Sequence, residues 1–314
     1  MAAGRYAPSP TGALHVGNLR TALLAWLFAR STGSRFVLRI DDLDPADARP
    51  EHEAGQRADL AAIGVEWDEP VVQQSARRAA HAEAIERLVA AGRTYECWCT
   101  RREIAAEIAR ATSAPHGPPP GPGGAAQPAG AYPGTCRRLT QAERVERRSS
   151  GRPAALRLDA RGEVVPVVDR LHGEVALAVD DLVLRRNDGI PAYNLAVVVD
   201  DAFQGVEEVV RGDDLLDSSP RQVLVARLLE LPTPTYAHVP LVLGADGARL
   251  AKRHGAVTLA DLAAEGVTAT EVRTTLAVSL GLAAPGEAVA PATLLDRFDP
   301  AALPMAPWTW PVAG

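Results

Sequence analysis

Residues 7–30 read APSPTGALHVGNLRTALLAWLFAR, and one histidine, His15, stands where a rigid turn of Pro, Ser, Thr and Gly meets an apolar helical pattern. A helix N-terminus carries unsatisfied N–H groups and a partial positive charge, which makes it a ready anion site. Gly17 lets a ligand approach the backbone closely. Asn18 is expected as the N-cap, and His15 is placed to donate to a phosphate. The competing reading is a His15 that only caps or packs, which an isolated HVGN run favours. A second chemical signal is the set of three cysteines, Cys97 and Cys99 in CWC and Cys136 in YPGTC. Three thiols cannot make a closed disulfide set, so metal binding or inert thiols are the better readings. Zinc prefers four ligands, and the usual pair spacing is two to four residues, so CWC is tight. The ordinary fourth ligand would be a histidine, His116; Tyr132 is the other candidate.

The elements that must position these residues follow from periodicity. Residues 4–95 alternate strand and helix. GRYAPS reads as a strand into a turn. Leu19, Leu23, Trp26 and Leu27 then share one helical face, with Gly33 as C-cap. RFVLRI is a near-continuous apolar strand ending at the acidic turn DDLDPADARP. Helices are expected over about 51–62 and about 77–91, the latter stopped by Gly92. Such alternation predicts a parallel sheet with crossover helices. Residues 113–131 are almost pure Pro, Gly and Ala, a loop without a fold of its own. Beyond it, AALRLDA, EVVPVVD and LVLRRND read as strands. AYNLAVVVDDAFQG and VEEVVRGDDLLDSSPRQVLVARLLE return to strand–helix alternation, and the tail from 256 reads helical.

The chain has 314 residues, 47% of them hydrophobic and 23% charged, which places it among globular proteins and leaves room for a sizeable core. The net charge of −6 argues against nucleic-acid binding driven by global charge, while a local basic patch stays open. No apolar run reaches the roughly 18 residues of a membrane span. The N-terminus MAAGRYAPSP lacks the apolar core of a signal peptide, so a cytoplasmic location without membrane attachment is expected.

HVGN, after PSPTG, resembles the HIGH signature of class I aminoacyl-tRNA synthetases. Far downstream, ARLAKR resembles their KMSKS signature, with Lys252 as the second lysine. Arg249 stands for the first lysine, Ala251 for the first serine and Arg253 for the last. The runs RYAPSPTGALHVGN, RIDDLDP, AYNLAVVVDDAFQGVEEVVRGDDLLDSSPRQ and HVPLVL are similar to the glutamyl and glutaminyl branch. Within it, the chain most resembles the glutamyl-queuosine tRNA(Asp) synthetases, shortened relatives of glutamyl-tRNA synthetase. The resemblance covers about 4–255. It implies an α/β fold in which a Rossmann-type parallel sheet, residues 1–96 and 191–255, is interrupted by a zinc-bearing α+β subdomain, 97–190. A short helical region, 256–314, would follow, with no anticodon-binding domain.

The implied reaction joins glutamate to ATP as an adenylate, with Mg2+ accompanying ATP, and needs two anions brought together around a phosphorus centre gaining charge. His15, Gly17 and Asn18 suit the ATP phosphates. Lys252 suits the leaving phosphates as a mobile point charge, assisted by Arg249 and Arg253. By match to the family, His15, Asn18 and Lys252 are catalytic. By the same match, glutamate lies against Arg5, Tyr6, Ala7, Pro8, Ser9, Asp41, Tyr193 and Arg211. Arg5 and Arg211 would pair carboxylates bidentately, although Arg211 in VVRGDD is open to an ordinary ion pair with Asp213 or Asp214. Asp41, where the family usually has Glu, would hold the ammonium with one methylene less.

The family's zinc site implies Cys97, Cys99, Cys136 and Tyr132, the tyrosine four residues before the last cysteine. Ordering His116 within a Pro-Gly tract would cost entropy, which also favours Tyr132. The alternative is three reduced, buried cysteines. The implied acceptor is the queuosine-bearing anticodon stem-loop of tRNA(Asp), contacted through Arg101, Arg102, Arg137 and Arg138, by a monomer. Two other functions remain on sequence grounds: a short glutamyl-tRNA synthetase that charges a 3′ end, and a noncatalytic tRNA-binding paralogue, which the altered lysine signature would suit.

Overall fold

The computed structural model describes residues 2–112, 126–128, 130–250 and 257–311. In chain order the elements are β1 (Ala3–Tyr6), α1 (Val16–Ser31), β2 (Arg35–Ile40), α2 (Pro50–Ala62), β3 (Val72–Gln73), α3 (Arg78–Ala90), β4 (Thr94–Cys97), α4 (Arg101–Thr112), α5 (Gln141–Ser149) and β5 (Ala155–Leu158). They continue with β6 (Val164–Asp169), β7 (Gly173–Ala178), β8 (Val183–Arg185), α6 (Tyr193–Gln204), β9 (Val206–Gly212), α7 (Ser219–Leu228), β10 (Thr235–Val239), β11 (Val242–Leu243), α8 (Leu259–Ala264), α9 (Ala269–Ser279), α10 (Pro291–Arg297) and β12 (Trp308–Thr309).

The main sheet has seven strands in the order β3-β2-β1-β9-β10-β6-β7. All neighbours are parallel except the β6–β7 hairpin. The chain runs outward from β1 to β2 and β3, then returns on the other side of β1 with β9 and β10. The order therefore reverses between β1 and β9, and in open α/β sheets ligands bind outside the carboxyl ends of strands at such a switch point.

α1 is buried almost all round, not on one face alone: Val16, Leu19, Ala22, Leu23, Leu24, Ala25, Trp26, Leu27, Phe28 and Ala29 are all inside. One side lies on β1, β2 and β9, and the other is covered by α9 and α10. Gly4 of β1 makes the close approach possible, since a Cβ there would sit 2.7 Å from the Ala29 Cβ. Thr32 is the C-cap, and Gly33 follows with φ +69°. The helices expected over 51–62 and 77–91 are α2 and α3, the latter entered through a 3-10 turn, Gln74–Arg77.

The segment 97–190 is not set apart as expected. Its β6–β7 hairpin extends the main sheet, with Tyr236 paired to Asp169 and the Arg170 N–H donating to the Tyr236 carbonyl. Main-chain groups along β10 thereby gain partners. β4, β5 and β8 form a separate antiparallel sheet, and β4 ends at Cys97. Most of the 113–131 tract, 113–125 and 129, lies outside the described residues. The C-terminal part is helical through α10, but β12 then pairs in parallel with β11.

Candidate active site

A cavity of about 610 Å3 opens at the carboxyl ends of β1, β2 and β9, where the strand order reverses. Arg5, Tyr6, Ala7, Pro8, Ser9, His15, Gly17, Asn18, Asp41, Tyr193, Arg211 and Arg249 all line it. Lys252 and Arg253 lie outside the described residues, as does His116.

His15, not Asn18, is the N-cap of α1. Its Nδ1 accepts the Asn18 N–H at 3.2 Å, and Asn18 Oδ1 accepts the His15 N–H at 3.2 Å, a reciprocal capping box. The helix starts early because the Val16 N–H is already taken by the Val257 carbonyl at 2.8 Å. Burial, and then the charge of Arg249, push the imidazole down to about 4. A neutral ring that accepts through Nδ1 carries its proton on Nε2, leaving that N–H for a ligand. The bland and the chemical readings of His15 thus describe one geometry.

The turn before the helix is held from α2. Gln56 Nε2 donates to the Ser9 carbonyl at 3.0 Å and the Gly12 carbonyl at 2.7 Å. Gln56 escaped the sequence reading, yet it is four residues before Leu60, and these two are the buried residues of α2. Their spacing was the available signal.

On the other side of the cavity, two arginines differ in how their charge is met. Arg5 lies 3.6 Å from Asp201, and Arg39, fully buried, binds both Asp41 at 2.7 Å and Asp201 at 2.6 Å. Asp41 therefore has one oxygen engaged by Arg39; burial raises its carboxyl and the Arg39 charge opposes the rise. Arg211 is 5% exposed, and among the described residues no carboxylate pairs with it. Its Nε donates to His238 Nε2 at 3.0 Å, Nη1 to Gln222 Oε1 at 2.8 Å, and Nη2 to Ser219 Oγ at 2.8 Å and the Leu215 carbonyl at 3.3 Å. The ion pair with Asp213 or Asp214 is absent; Asp214 binds Arg249 instead, at 2.5 Å. Of the five guanidinium N–H groups, one on Nη1 is left for a ligand. That corrects the expectation of a free bidentate fork.

The cysteines converge at the end of β4, where Cys97 and Cys99 meet Cys136 of the 3-10 turn Thr135–Arg138. Their Sγ atoms lie within 4.8 Å of one another, with Cys99 and Cys136 at 3.4 Å. The Tyr132 hydroxyl is 3.4 Å from Cys97 Sγ and 3.5 Å from Cys99 Sγ, and accepts the Cys136 N–H at 2.9 Å. Thiolates around tetrahedral zinc stand about 3.8 Å apart, from bonds of about 2.3 Å. Three sulfurs and one phenol oxygen at these spacings fit that ion. Of the four arginines expected to meet nucleic acid, Arg137 is engaged by Asp181 at 3.0 Å and Arg138 lies 3.6 Å from Glu107. Arg101 and Arg102 open α4 and are exposed. The small folded space around Asp159, Asp181 and Glu107 brings carboxylates to the first pair, which the sequence separation concealed. None of the described helices is long and apolar enough to cross a membrane.

Residues 2–286 match the family model described as tRNA synthetases class I (E and Q), catalytic domain. The chain belongs to the class I tRNA synthetases of the E and Q group. It is a ligase of the aminoacyl-tRNA synthetase type. A glutamyl-Q tRNA(Asp) synthetase of Nocardia farcinica is 60% identical over 306 residues, covering 98% of this chain and 92% of its own length. One from Symbiobacterium thermophilum is 47% identical, covering 98% and 95%. Among solved structures, a glutamate tRNA ligase from Elizabethkingia meningosepticum, in complex with its amino acid, superposes with a TM-score of 0.80 at 26% identity. That match covers 98% of this chain and 66% of the other. The family uses ATP with Mg2+, an amino acid and a tRNA.

Proposed function

We propose that this synthetase activates L-glutamate with ATP and transfers the glutamyl group to the queuosine base at the wobble position of tRNA(Asp). Arg211 carries the proposal: a buried cation that no carboxylate of the described residues meets, in the same cavity as a helix N-terminus capped by a neutral histidine. A buried charge needs a counter-charge, and a glutamate carboxylate supplies it. Arg5, already compensated by Asp201, orients a second carboxylate less strongly. Tyr193, Ser9 and the free oxygen of Asp41 offer polar contacts, the last to the ammonium.

In the first step a glutamate carboxylate oxygen attacks the α-phosphorus, the bond to the bridging oxygen breaks, and pyrophosphate leaves. His15 Nε2–H and the N–H group at Gly17 serve the phosphate side and stabilise the charge that develops there, while the Asn18 N–H, donated to His15 Nδ1, holds the ring in place. Arg249, with Lys252 and Arg253, serves the departing phosphates, whose remaining charge the Mg2+ accompanying ATP would help to neutralise. In the second step a hydroxyl of the queuosine diol attacks the acyl carbon, AMP leaves with the bonding pair, and the hydroxyl proton is released. Cys97, Cys99, Cys136 and Tyr132 would hold one zinc, whose part is to tie β4 to the Tyr132–Cys136 turn.

The identity and near full-length coverage of the two relatives support the queuosine acceptor over a 3′ end. An anticodon loop also presents splayed, single-stranded bases to a small pocket. Labelled glutamate should transfer to an isolated queuosine-bearing anticodon stem-loop with no acceptor stem. If transfer requires a 3′ CCA end, or proceeds equally to unmodified tRNA(Glu), the chain is a short glutamyl-tRNA synthetase. No glutamate-dependent pyrophosphate exchange at all would leave only the noncatalytic reading.

A further inference from the structure

His238 lies in HVPLVL, a run that resembles the family but for which the reaction above has no use. It sits in β10, fully buried. Its Nε2 accepts the Arg211 Nε–H at 3.0 Å, and its Nδ1 meets Asp169 Oδ2 at 2.6 Å. Asp169, at the end of β6, also accepts the backbone N–H groups of His238, Leu171 and His172. The result is a continuous row, carboxylate–imidazole–guanidinium, ending at the cavity. The β10–β6 pairing that joins the β6–β7 hairpin to the parallel strands, Tyr236 with Asp169, brings the row together.

The direction of each hydrogen bond is determined. Arg211 can only donate, so Nε2 must accept; Nδ1 must then carry the proton that Asp169 receives. His238 is thus neutral and in one tautomer. Burial pushes its pKa down, and the Arg211 charge acts the same way against the pull of Asp169. Burial works against the Asp169 anion, yet the bonds from His238, Leu171 and His172 hold it at about 2. His172 packs beside them through the His238 carbonyl at 3.0 Å, and the Tyr236 ring stacks at 6.0 Å.

We propose that Asp169 and His238 are positioning residues for glutamate recognition: the neutral imidazole orients the Arg211 guanidinium without neutralising it. A carboxylate placed directly on Arg211 would orient it equally well but would compete with the substrate carboxylate for its charge. Interposing an imidazole separates the two effects. Ser219 and Gln222, both neutral and both from α7, complete the same arrangement on the other nitrogens. The inference rests on Arg211 being the glutamate contact.

The test is glutamate-dependent ATP–pyrophosphate exchange on the full chain, with KM for glutamate and for ATP measured separately and folding followed by thermal melting. Arg211→Ala comes first: an unchanged glutamate KM would remove the reading on which the inference rests. With that KM raised, His238→Leu should raise the glutamate KM by about 10-fold or more, the range for a charged group losing its buried partner, and leave the ATP KM within about 2-fold. His238→Gln places an acceptor oxygen near the Nε2 position and should restore the glutamate KM to within about 3-fold of the parent. His238→Glu, nearly identical in shape to the glutamine but anionic, should bind glutamate at least as poorly as His238→Leu. The inference is overturned if His238→Leu melts normally with an unchanged glutamate KM. It is also overturned if the Gln and Glu variants bind glutamate equally, a comparison that decides the matter even where the Leu variant does not fold.

Discussion

Replacing Gly17 by alanine should leave the fold intact and impair the chemistry. Gly17 is the second residue of α1, just after the capping histidine and one turn's reach from the phosphate side of the cavity. A Cβ there would stand 3.0 Å from both Cε1 and Nδ1 of His15, and 3.3 Å from the Val242 Cβ. Comfortable carbon contacts are about 3.5–4.0 Å, so the ring must retreat by about 0.5 Å. The helix cannot retreat instead, because Val242 closes the other side. The bond from the Asn18 N–H to Nδ1 is already 3.2 Å, and such a shift breaks it. Losing the cap costs about 1 kcal/mol, while alanine in place of glycine returns up to about 1 kcal/mol of helix propensity. The two nearly cancel, and the melting temperature should move by only a few degrees. Exchange activity should fall by about 10- to 100-fold, since the Nε2 donor leaves its position, and the loss should fall on ATP rather than on the glutamate KM. Normal exchange in Gly17→Ala would refute the role given to His15.

The remaining expectations concern charge, metal and substrate. His15 binds its proton near pH 4 when folded and near 6.5 when unfolded, so between those values the unfolded chain holds more protons. Stability should therefore decline as pH falls from about 6.5 toward 4; a His15→Gln variant that declines identically would remove the histidine from that slope. Asp214→Asn frees Arg249 beside the phosphate side and should lower the ATP KM by about 2- to 5-fold, read from exchange at varied ATP, whereas a higher KM would make the ion pair part of the binding form. Cys97→Ser should release zinc, shown by elemental analysis, and expose the Tyr132–Cys136 turn to protease while exchange persists; zinc-free parent protein prepared with zinc present would remove the metal site. Aspartate should exchange at least about 10-fold less well than glutamate, because a chain one methylene shorter cannot bridge Arg5 and Arg211 at once, and equal rates would contradict the glutamate assignment.

Local signals carried the sequence reading a long way. The turn at 8–12, the helix after it, the RFVLRI strand and the limits of α2 and α3 are written in runs of adjacent residues, where periodicity and capping chemistry act over three or four positions. CWC and YPGTC mark a candidate metal site because thiols in such numbers have few other uses in a chain without disulfides. Even there, the cap was misplaced by three residues: whether His15 or Asn18 ends the helix depends on the Val257 carbonyl, which arrives from the far end of the chain.

What remained hidden was set by pairings across long separations. EVVPVVD alternates buried and exposed positions as any strand with one face to solvent does, and nothing in that pattern says which sheet it joins. Its place beside β10 depends on the main-chain groups that the folded sheet leaves along that strand. The same placement puts Asp169 against His238, and so determines what holds Arg211. A guanidinium in VVRGDD reads as the neighbour of Asp213 and Asp214; in the fold, strand direction turns it toward β10 and α7, and Asp214 toward Arg249. Arg39 likewise finds Asp201 across 162 positions. Residue types show which groups can carry charge, accept a proton or bind a metal. Whether a charge is left for a substrate depends on which other charges the packed chain brings within about 4 Å, and that is a property of the whole fold.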